Sequence, residues 1–105
     1  MDNSYHPKRF YRYIKDRDTF VGEVAYHFDG ERQSYIADVI IYAPYRGKGY
    51  GRKGLLLLCE TAKANDIREL YDDIAIDNSA VELFLKCGFV EVLRTTEYVL
   101  VKKEL

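Results

Sequence analysis

The chain has 105 residues, which is enough for one compact domain but not for two. Hydrophobic residues make up 48% of the sequence and charged residues 31%, a composition typical of a globular domain. The formal net charge of -1 argues against a general nucleic-acid-binding protein, because no excess of positive charge covers the surface.

The N-terminal residues show no signal-peptide pattern, and the longest purely apolar run, residues 55–59, is too short to cross a bilayer. We therefore expect a cytoplasmic protein without a membrane partner. In that setting Cys59 and Cys87 are expected to be free, buried thiols rather than a disulfide. Two cysteines so far apart, with only His6 and His27 to assist them, make a poor metal site. The sequence therefore predicts no metal.

The first part of the chain predicts three strands joined by short turns, because runs rich in aromatic and β-branched residues alternate with turn signals. The turn signals are DRD at residues 16–18 and DGERQ at residues 29–33. Strands joined by such short turns predict an antiparallel meander. The predicted strands cover residues 9–15, 20–28 and 35–42.

After the third strand the apolar residues change to a helical period, with charged residues spread around them. A second, shorter helix can be capped at its start by Asp77, Asn78 or Ser79, and Gly88 closes it. The last two strands are expected to form a hairpin. The predicted elements here are helices at residues 49–64 and 80–86 and strands at residues 70–76, 89–93 and 98–102.

The predicted order of elements is β-β-β-α-β-α-β-β. A strand, a crossover helix and another strand at the centre of the chain imply a parallel pair of strands. The sequence therefore predicts one domain over residues 1–105, of the α/β (α+β) class, with a mixed sheet on which the helices pack.

Residues 46–54, RGKGYGRKG, follow an apolar strand and open the first predicted helix. The first turn of a helix leaves backbone N–H groups unpaired and presents the positive end of the helix dipole. Glycine lets a ligand approach the backbone closely, so the segment predicts a site for a phosphorylated ligand. The nearby cations add attraction for phosphate; they are Arg46, Lys48, Arg52 and Lys53.

Other ligand-binding patterns fit this segment less well. Residues 49–54 match the letters G-x-G-x-x-G, but the acidic ribose partner expected about 20 residues later would lie in a sheet that begins antiparallel. The P-loop pattern G-x-x-x-x-G-K-[ST] is absent. An RNA-binding domain that uses RGKGYGRK with Tyr50 is a further alternative, against which the net charge argues.

Residues 46–51, RGKGYG, and residues 77–89, DNSAVELFLKCGF, form two motifs that resemble those of the Gcn5-related N-acetyltransferase (GNAT) family. Residues 46–51, RGKGYG, match the hallmark [RQ]-x-x-G-x-[GA], and residues 41–45, IYAPY, resemble its V-x-P-x-x lead-in. Residues 77–89, DNSAVELFLKCGF, resemble the later motif N-x-x-A-x-x-L-Y-x-x-x-G-F. The resemblance covers residues 9–105 and implies a GNAT-like acyl-CoA N-acyltransferase fold that lacks the usual N-terminal strand and helices.

The resemblance implies that acetyl-CoA is the co-substrate. Backbone amides of the loop would hold its pyrophosphate, and Lys48, Arg52 or Lys53 would meet the 3′-phosphate. The strand before the loop would pair with the pantetheine arm, which Asn78 or Asp77 would also contact. The implied cofactor-binding residues are Ile40, Ile41, Arg46, Gly47, Lys48, Gly49, Tyr50, Gly51, Arg52 and Asn78.

The implied reaction is the direct attack of a primary amine on the thioester, for which a base must take a proton. The base candidates are Asp72 and Asp73, since aligning on the motif's asparagine selects Asp73 and aligning on Ala80 selects Asp72. Adjacent strand residues face opposite ways, so at most one of the two points at the site. Asp38 and Glu23 are further candidates, each more typical of a surface residue.

The sequence departs from the family pattern in two ways. Phe84 stands where the family usually has a tyrosine that protonates the departing thiolate, so the thiolate leaves unassisted or another phenol replaces it. The chain also starts near the family's second strand, so it is either a fragment or a minimal member with a more open acceptor groove. The phenols that could replace the missing tyrosine are Tyr42, Tyr45, Tyr71 and Tyr98.

The leading hypothesis is therefore an acetyl-CoA-dependent N-acetyltransferase that acts on a small-molecule or peptide amine and has no nucleic-acid partner. The alternative is a CoA-binding GNAT-like module or fragment with little or no catalytic activity. The unpaired strand near the N-terminus predicts an exposed sheet edge at which two copies could form a homodimer.

Overall fold

The computed structural model describes residues 8–105. Within them a sheet of six strands carries two helices, neither of which is long and apolar enough to cross a membrane. A single turn of 3₁₀ helix, Ala43–Tyr45, separates the third strand from the first helix. The strands are β1 (Arg9–Asp16), β2 (Thr19–Asp29), β3 (Ser34–Ile41), β4 (Glu69–Ala75), β5 (Val90–Arg94) and β6 (Tyr98–Glu104); the helices are α1 (Tyr50–Ala64) and α2 (Ala80–Lys86).

These elements confirm the predicted order and the mixed α/β fold, and every predicted element is present. The turn at Ala43–Tyr45 is an addition that the sequence reading left out. Pro44 explains it, because a fixed φ and a missing N–H suit proline to the start of a helical turn. Ser79 occupies the N-cap position of α2 without a side-chain cap bond, and the Asn78 Oδ1 atom instead accepts the Ala80 N–H at 2.9 Å.

The strands lie in the order β1-β2-β3-β4-β6-β5. The meander β1-β2-β3 is antiparallel and β3 is parallel to β4, as the crossover through α1 requires. The register between β3 and β4 holds at a single position, Ile36 with Tyr71. Beyond it the two strands separate towards their carboxyl ends, and this separation creates the opening described below.

The alternation of side chains gives the sheet two unlike faces. One face, here called the helix face, packs against α1 and α2 and forms the hydrophobic core. The opposite face, here called the open face, is covered by neither helix, and within residues 8–105 much of it is exposed. Its side chains include Tyr11, Tyr13, Glu23, Asp38, Asp73 and Leu100.

The core confirms the prediction for the cysteines, since Cys59 and Cys87 are both buried and free. Residue Gly54 brings α1 close to the meander, because a Cβ there would lie 2.7 Å from the Ile14 Cδ1 atom. Helix α1 is therefore held tightly over β1 and β2, and its N-terminus points at the end of β3.

Candidate active site

A groove of about 970 Å³ opens where β3 and β4 separate. Its walls are the ends of these strands, the loop between β3 and α1, and the N-termini of both helices. All of the residues that the sequence suggested for cofactor binding line this groove except Lys48 and Lys53. The structure therefore brings together two motifs that are well separated along the chain.

The loop turns twice through the left-handed region, at Gly47 (φ +78°) and Gly49 (φ +89°). Residues with a Cβ adopt this region rarely, which explains the two glycines. Helix α1 begins directly afterwards with no side-chain cap and no acidic residue in its first turn. Among residues 8–105 the amides of residues 47–52 donate no hydrogen bond, so the loop presents a run of free N–H groups.

Two side chains hold this loop in place. The Arg46 Nε donates to the Ile41 carbonyl at 2.9 Å and ties the loop to the end of β3. The Tyr50 hydroxyl donates to Asp16, the last residue of β1, and this hydrogen bond raises the pKa of Tyr50. The guanidinium of Arg46 thus supports the loop as well as adding positive charge.

Helix α2 forms the wall of the groove opposite the loop. Gly51 allows the two helix N-termini to approach, because a Cβ there would lie 3.0 Å from the Leu83 Cδ2 atom. The side chains of Glu82, Leu83 and Lys86 also line the groove, and the sequence reading missed all of them. Their three- and four-residue spacing on a predicted helix is the signal that could have found them.

Asp72 and Asp73 are the first residues of β4 after Tyr71, the last position in register with β3. They face opposite ways, as adjacent strand residues must: Asp72 lies on the helix face and Asp73 on the open face. Burial raises the pKa of Asp72 to about 8, and repulsion from Asp38 adds to the shift. This carboxyl group therefore gains and loses its proton close to neutral pH.

Asp73 forms an ion pair with Arg32, which reaches it from the turn between β2 and β3. The Oδ2 atom of Asp73 takes this contact, whereas its Oδ1 atom is buried and has no hydrogen-bond partner within residues 8–105. No local sequence pattern indicates this pair, because the two residues lie on separate elements far apart in the chain.

The two remaining carboxylate candidates also lie on the open face. The Tyr42 hydroxyl donates to Glu23 at 2.7 Å, and Tyr11 donates to the second oxygen of the same carboxylate. These bonds lower the pKa of Glu23 and raise that of Tyr42 to about 12. Asp38 lies 3.8 Å from the His27 Nδ1 atom, and partial burial raises its pKa.

Phe84 belongs to the core and not to the groove. It is 1% exposed and its ring lies 4.9 Å from that of Phe89. Of the phenols considered as substitutes, Tyr45 lines the groove, Tyr42 donates to Glu23, and Tyr71 donates to Glu69 at 3.3 Å. Tyr98 lies beside Asp73, in a second and smaller cavity.

The described part of the chain brings no three His, Cys, Asp or Glu side chains together as metal ligands. The groove instead offers main-chain N–H groups and cations beside a gap between parallel strands. That arrangement suits an extended, phosphorylated ligand.

Known proteins resemble this chain in sequence and in fold. A protein described as the uncharacterized N-acetyltransferase YycN of Bacillus subtilis is 35% identical over 74 residues, which make up 70% of this chain and 45% of that protein. The structure of yncA from Salmonella typhimurium with its cofactor acetyl-CoA superposes with a TM-score of 0.76 at 22% identity, covering 87% of this chain and 61% of that one.

A ribosomal-protein-alanine N-acetyltransferase from Brucella melitensis superposes with a TM-score of 0.77 at 26% identity, covering 89% of this chain and 67% of that one. This chain thus spans less than half of its curated relative and about three fifths of the yncA chain. The Acetyltransferase (GNAT) family matches residues 2–89, which is most of the sequence. The chain belongs to the GNAT acetyltransferase family and has its fold.

Proposed function

We propose that this chain binds acetyl-CoA in the groove and transfers the acetyl group to a primary amine. The observation that carries the proposal is the run of free amides at residues 47–52, which opens onto the gap between two parallel strands. Family membership supports it, as does the acetyl-CoA bound to yncA.

The pyrophosphate lies on the loop, where free N–H groups and the positive end of α1 complement its charge. Arg52 adds a cation in the first turn of α1. The pantetheine arm runs along β3 as an added strand, because the edge of β3 beyond Ile36 has no partner in β4. Its polar groups then pair with the main chain near Ile40 and Ile41.

The acceptor amine enters from the open face and reaches the thioester through the gap. Its nitrogen bonds to the carbonyl carbon, the carbon–sulfur bond breaks, and the CoA thiolate leaves. Asp72 is the proposed base for the amine proton, because a pKa of about 8 matches the task near neutral pH. The thiolate leaves without a phenol at position 84, since a thiol pKa of ~8.5 makes it a tolerable leaving group.

We also propose that the protein is cytoplasmic and that two copies of it form a homodimer. A cytoplasmic location fits two free, buried thiols, which a reducing compartment preserves. A homodimer would form along the edge strand β1, and light scattering of the purified chain would detect it. Nucleic acids and membranes are not proposed as partners.

The test is a calorimetric titration of the purified chain with acetyl-CoA, beside a double variant that carries Arg46→Ala and Gly49→Val. We expect micromolar binding that the double variant loses, because it removes the tie of the loop and one of its left-handed turns. A thiol-release assay with a panel of primary amines then measures transfer. Binding without transfer to any amine would favour the CoA-binding module, and no binding in the intact chain would overturn the proposal.

A further inference from the structure

A second cavity, of about 320 Å³, lies on the open face between β3, β4 and β6. Ser34, Tyr71, Tyr98 and Leu100 border it, together with the Arg32–Asp73 ion pair. It is separate from the acetyl-CoA groove, and nothing proposed above uses it. Its walls combine two aromatic rings and an aliphatic side chain with a small number of polar groups, which is the usual composition of a small-molecule site.

The Asp73 Oδ1 atom is the unusual feature of this cavity. It is buried, and no group within residues 8–105 donates a hydrogen bond to it. A buried carboxylate oxygen without a partner is costly, and such groups are rare in folded proteins. A ligand that brings an N–H or O–H donor into the cavity would remove this cost.

The charge of the cavity narrows the choice of donor. The guanidinium of Arg32 already balances the Asp73 carboxylate through its Oδ2 atom. A second cation beside Arg32 would be repelled, whereas a neutral hydroxyl or amide N–H would satisfy the Oδ1 atom without adding charge. The cavity is therefore suited to a neutral hydrogen-bond donor.

The position of the cavity connects it with the groove. Asp73 precedes Ala75 by two residues on the same face of β4, roughly 7 Å at the usual rise of a strand, and Ala75 lines the groove. A molecule bound at Asp73 and extended along β4 would place its other end at the gap, where the proposed acetyl transfer occurs.

We infer that this cavity anchors the acceptor: it takes a primary amine whose chain carries a hydroxyl or amide donor roughly 7 Å from the amine nitrogen. The identity of the ligand as the acceptor rests on the proposed function. Asp73 then acts as a positioning residue. The hydrogen bond from the ligand's donor to the Asp73 Oδ1 atom does not depend on catalysis.

The test compares three probes that share a five-carbon chain: 5-amino-1-pentanol, pentylamine and 1,5-diaminopentane. Their binding is measured without acetyl-CoA, by NMR titration of the Leu100 methyl groups and the Asp73 amide. We expect the intact chain to bind the amino alcohol about tenfold or more tightly than pentylamine, and more tightly than the diamine, as one hydrogen bond to a charged group allows. Asp73→Ala should bring the alcohol and pentylamine to equal affinity, whereas the surface control Glu91→Gln should leave their ratio unchanged.

A second variant, Arg32→Ala, tests the charge argument. It leaves the Asp73 carboxylate unbalanced, so we expect the preference to move to the diamine. Equal binding of all three probes by the intact chain, or tighter binding of the diamine, would overturn the inference.

The same probes, used as substrates in the thiol-release assay, separate this inference from the proposed function. Equal binding of the probes together with acetylation of every amine would contradict the anchoring role of the cavity and would support the proposed transferase activity. Selective binding of the amino alcohol with no acetylation of any probe would support the hydrogen-bond site at Asp73 and would contradict acetyl transfer to these amines.

Discussion

The groove loop and the open face present different parts of the chain to a ligand. The loop offers main-chain N–H groups, freed by two left-handed glycines and by the start of α1. The open face offers side chains that meet from separate strands and turns, such as Arg32 with Asp73. Main-chain recognition is local in sequence and indifferent to most side chains, whereas side-chain recognition depends on distant partners. Substitutions should therefore affect the two regions in different ways.

The largest effect is expected from Asp72, the helix-face carboxylate of β4 that is the proposed base. Asp72→Asn should lower kcat/KM by about a thousandfold, because general-base catalysis contributes 10²–10⁴-fold, and should leave acetyl-CoA affinity unchanged. The rate of the unaltered chain should rise as pH increases through about 8, where Asp72 loses its proton. Glu69→Gln on the same strand is the control, and an equal loss in that variant would contradict the role of Asp72.

The second effect concerns the conformation of the groove loop. Gly49→Val should weaken acetyl-CoA binding by about tenfold to a hundredfold, because a β-branched residue is strained at φ +89°. The matched control is Gly30→Val, in a turn where φ is not positive and an added Cβ meets nothing within 4 Å. Calorimetry on both variants measures the difference, and equal affinities would show that the shape of the loop is unimportant.

The third effect concerns stability and pH. The folded chain raises the pKa of Asp72 above its unfolded value, so its carboxyl group holds a proton that the unfolded chain releases. The contribution of Asp72 to stability is complete below about pH 4 and is lost as pH rises through about 8. Asp72→Asn should therefore raise Tm relative to the intact chain by about 5 °C or more at pH 9. At pH 4 the substitution should not raise Tm. Melting curves across this range check it. Glu91→Gln should show no such gain, because Arg94 lowers the pKa of Glu91.

The smallest effect tests whether the core position of Phe84 can serve the reaction. Phe84→Tyr should lower Tm by about 5 °C and add no transferase rate, because its hydroxyl would enter the core beside Phe89 without a partner. Phe20→Tyr makes the same substitution at a side chain that is 50% exposed and should leave Tm unchanged. A faster reaction in Phe84→Tyr would mean that this position faces the thioester after all.

The sequence predicts local features of the chain but not contacts between distant elements. Turn signals, apolar periods and the glycine-rich loop are local, so the order of elements, the mixed sheet and the residues around the loop could be predicted. Contacts between elements could not: nothing near Asp73 in the sequence indicates Arg32, and nothing near Glu23 indicates Tyr42. The choice between Asp72 and Asp73 required the register of β4 and β6, which fixes the face of each carboxylate.

The single position of register between β3 and β4 has a consequence for how the chain opens. The sheet consists of two antiparallel halves, β1-β2-β3 and β4-β6-β5, each formed from one continuous stretch of chain apart from α2. Each half pairs strands from its own stretch of chain, so each is suited to form as a unit, and the seam between them is the weakest line in the sheet. A ligand laid along that seam would join the halves. Hydrogen exchange at residues 37–41 should slow when it binds, while the outer strands keep their protection.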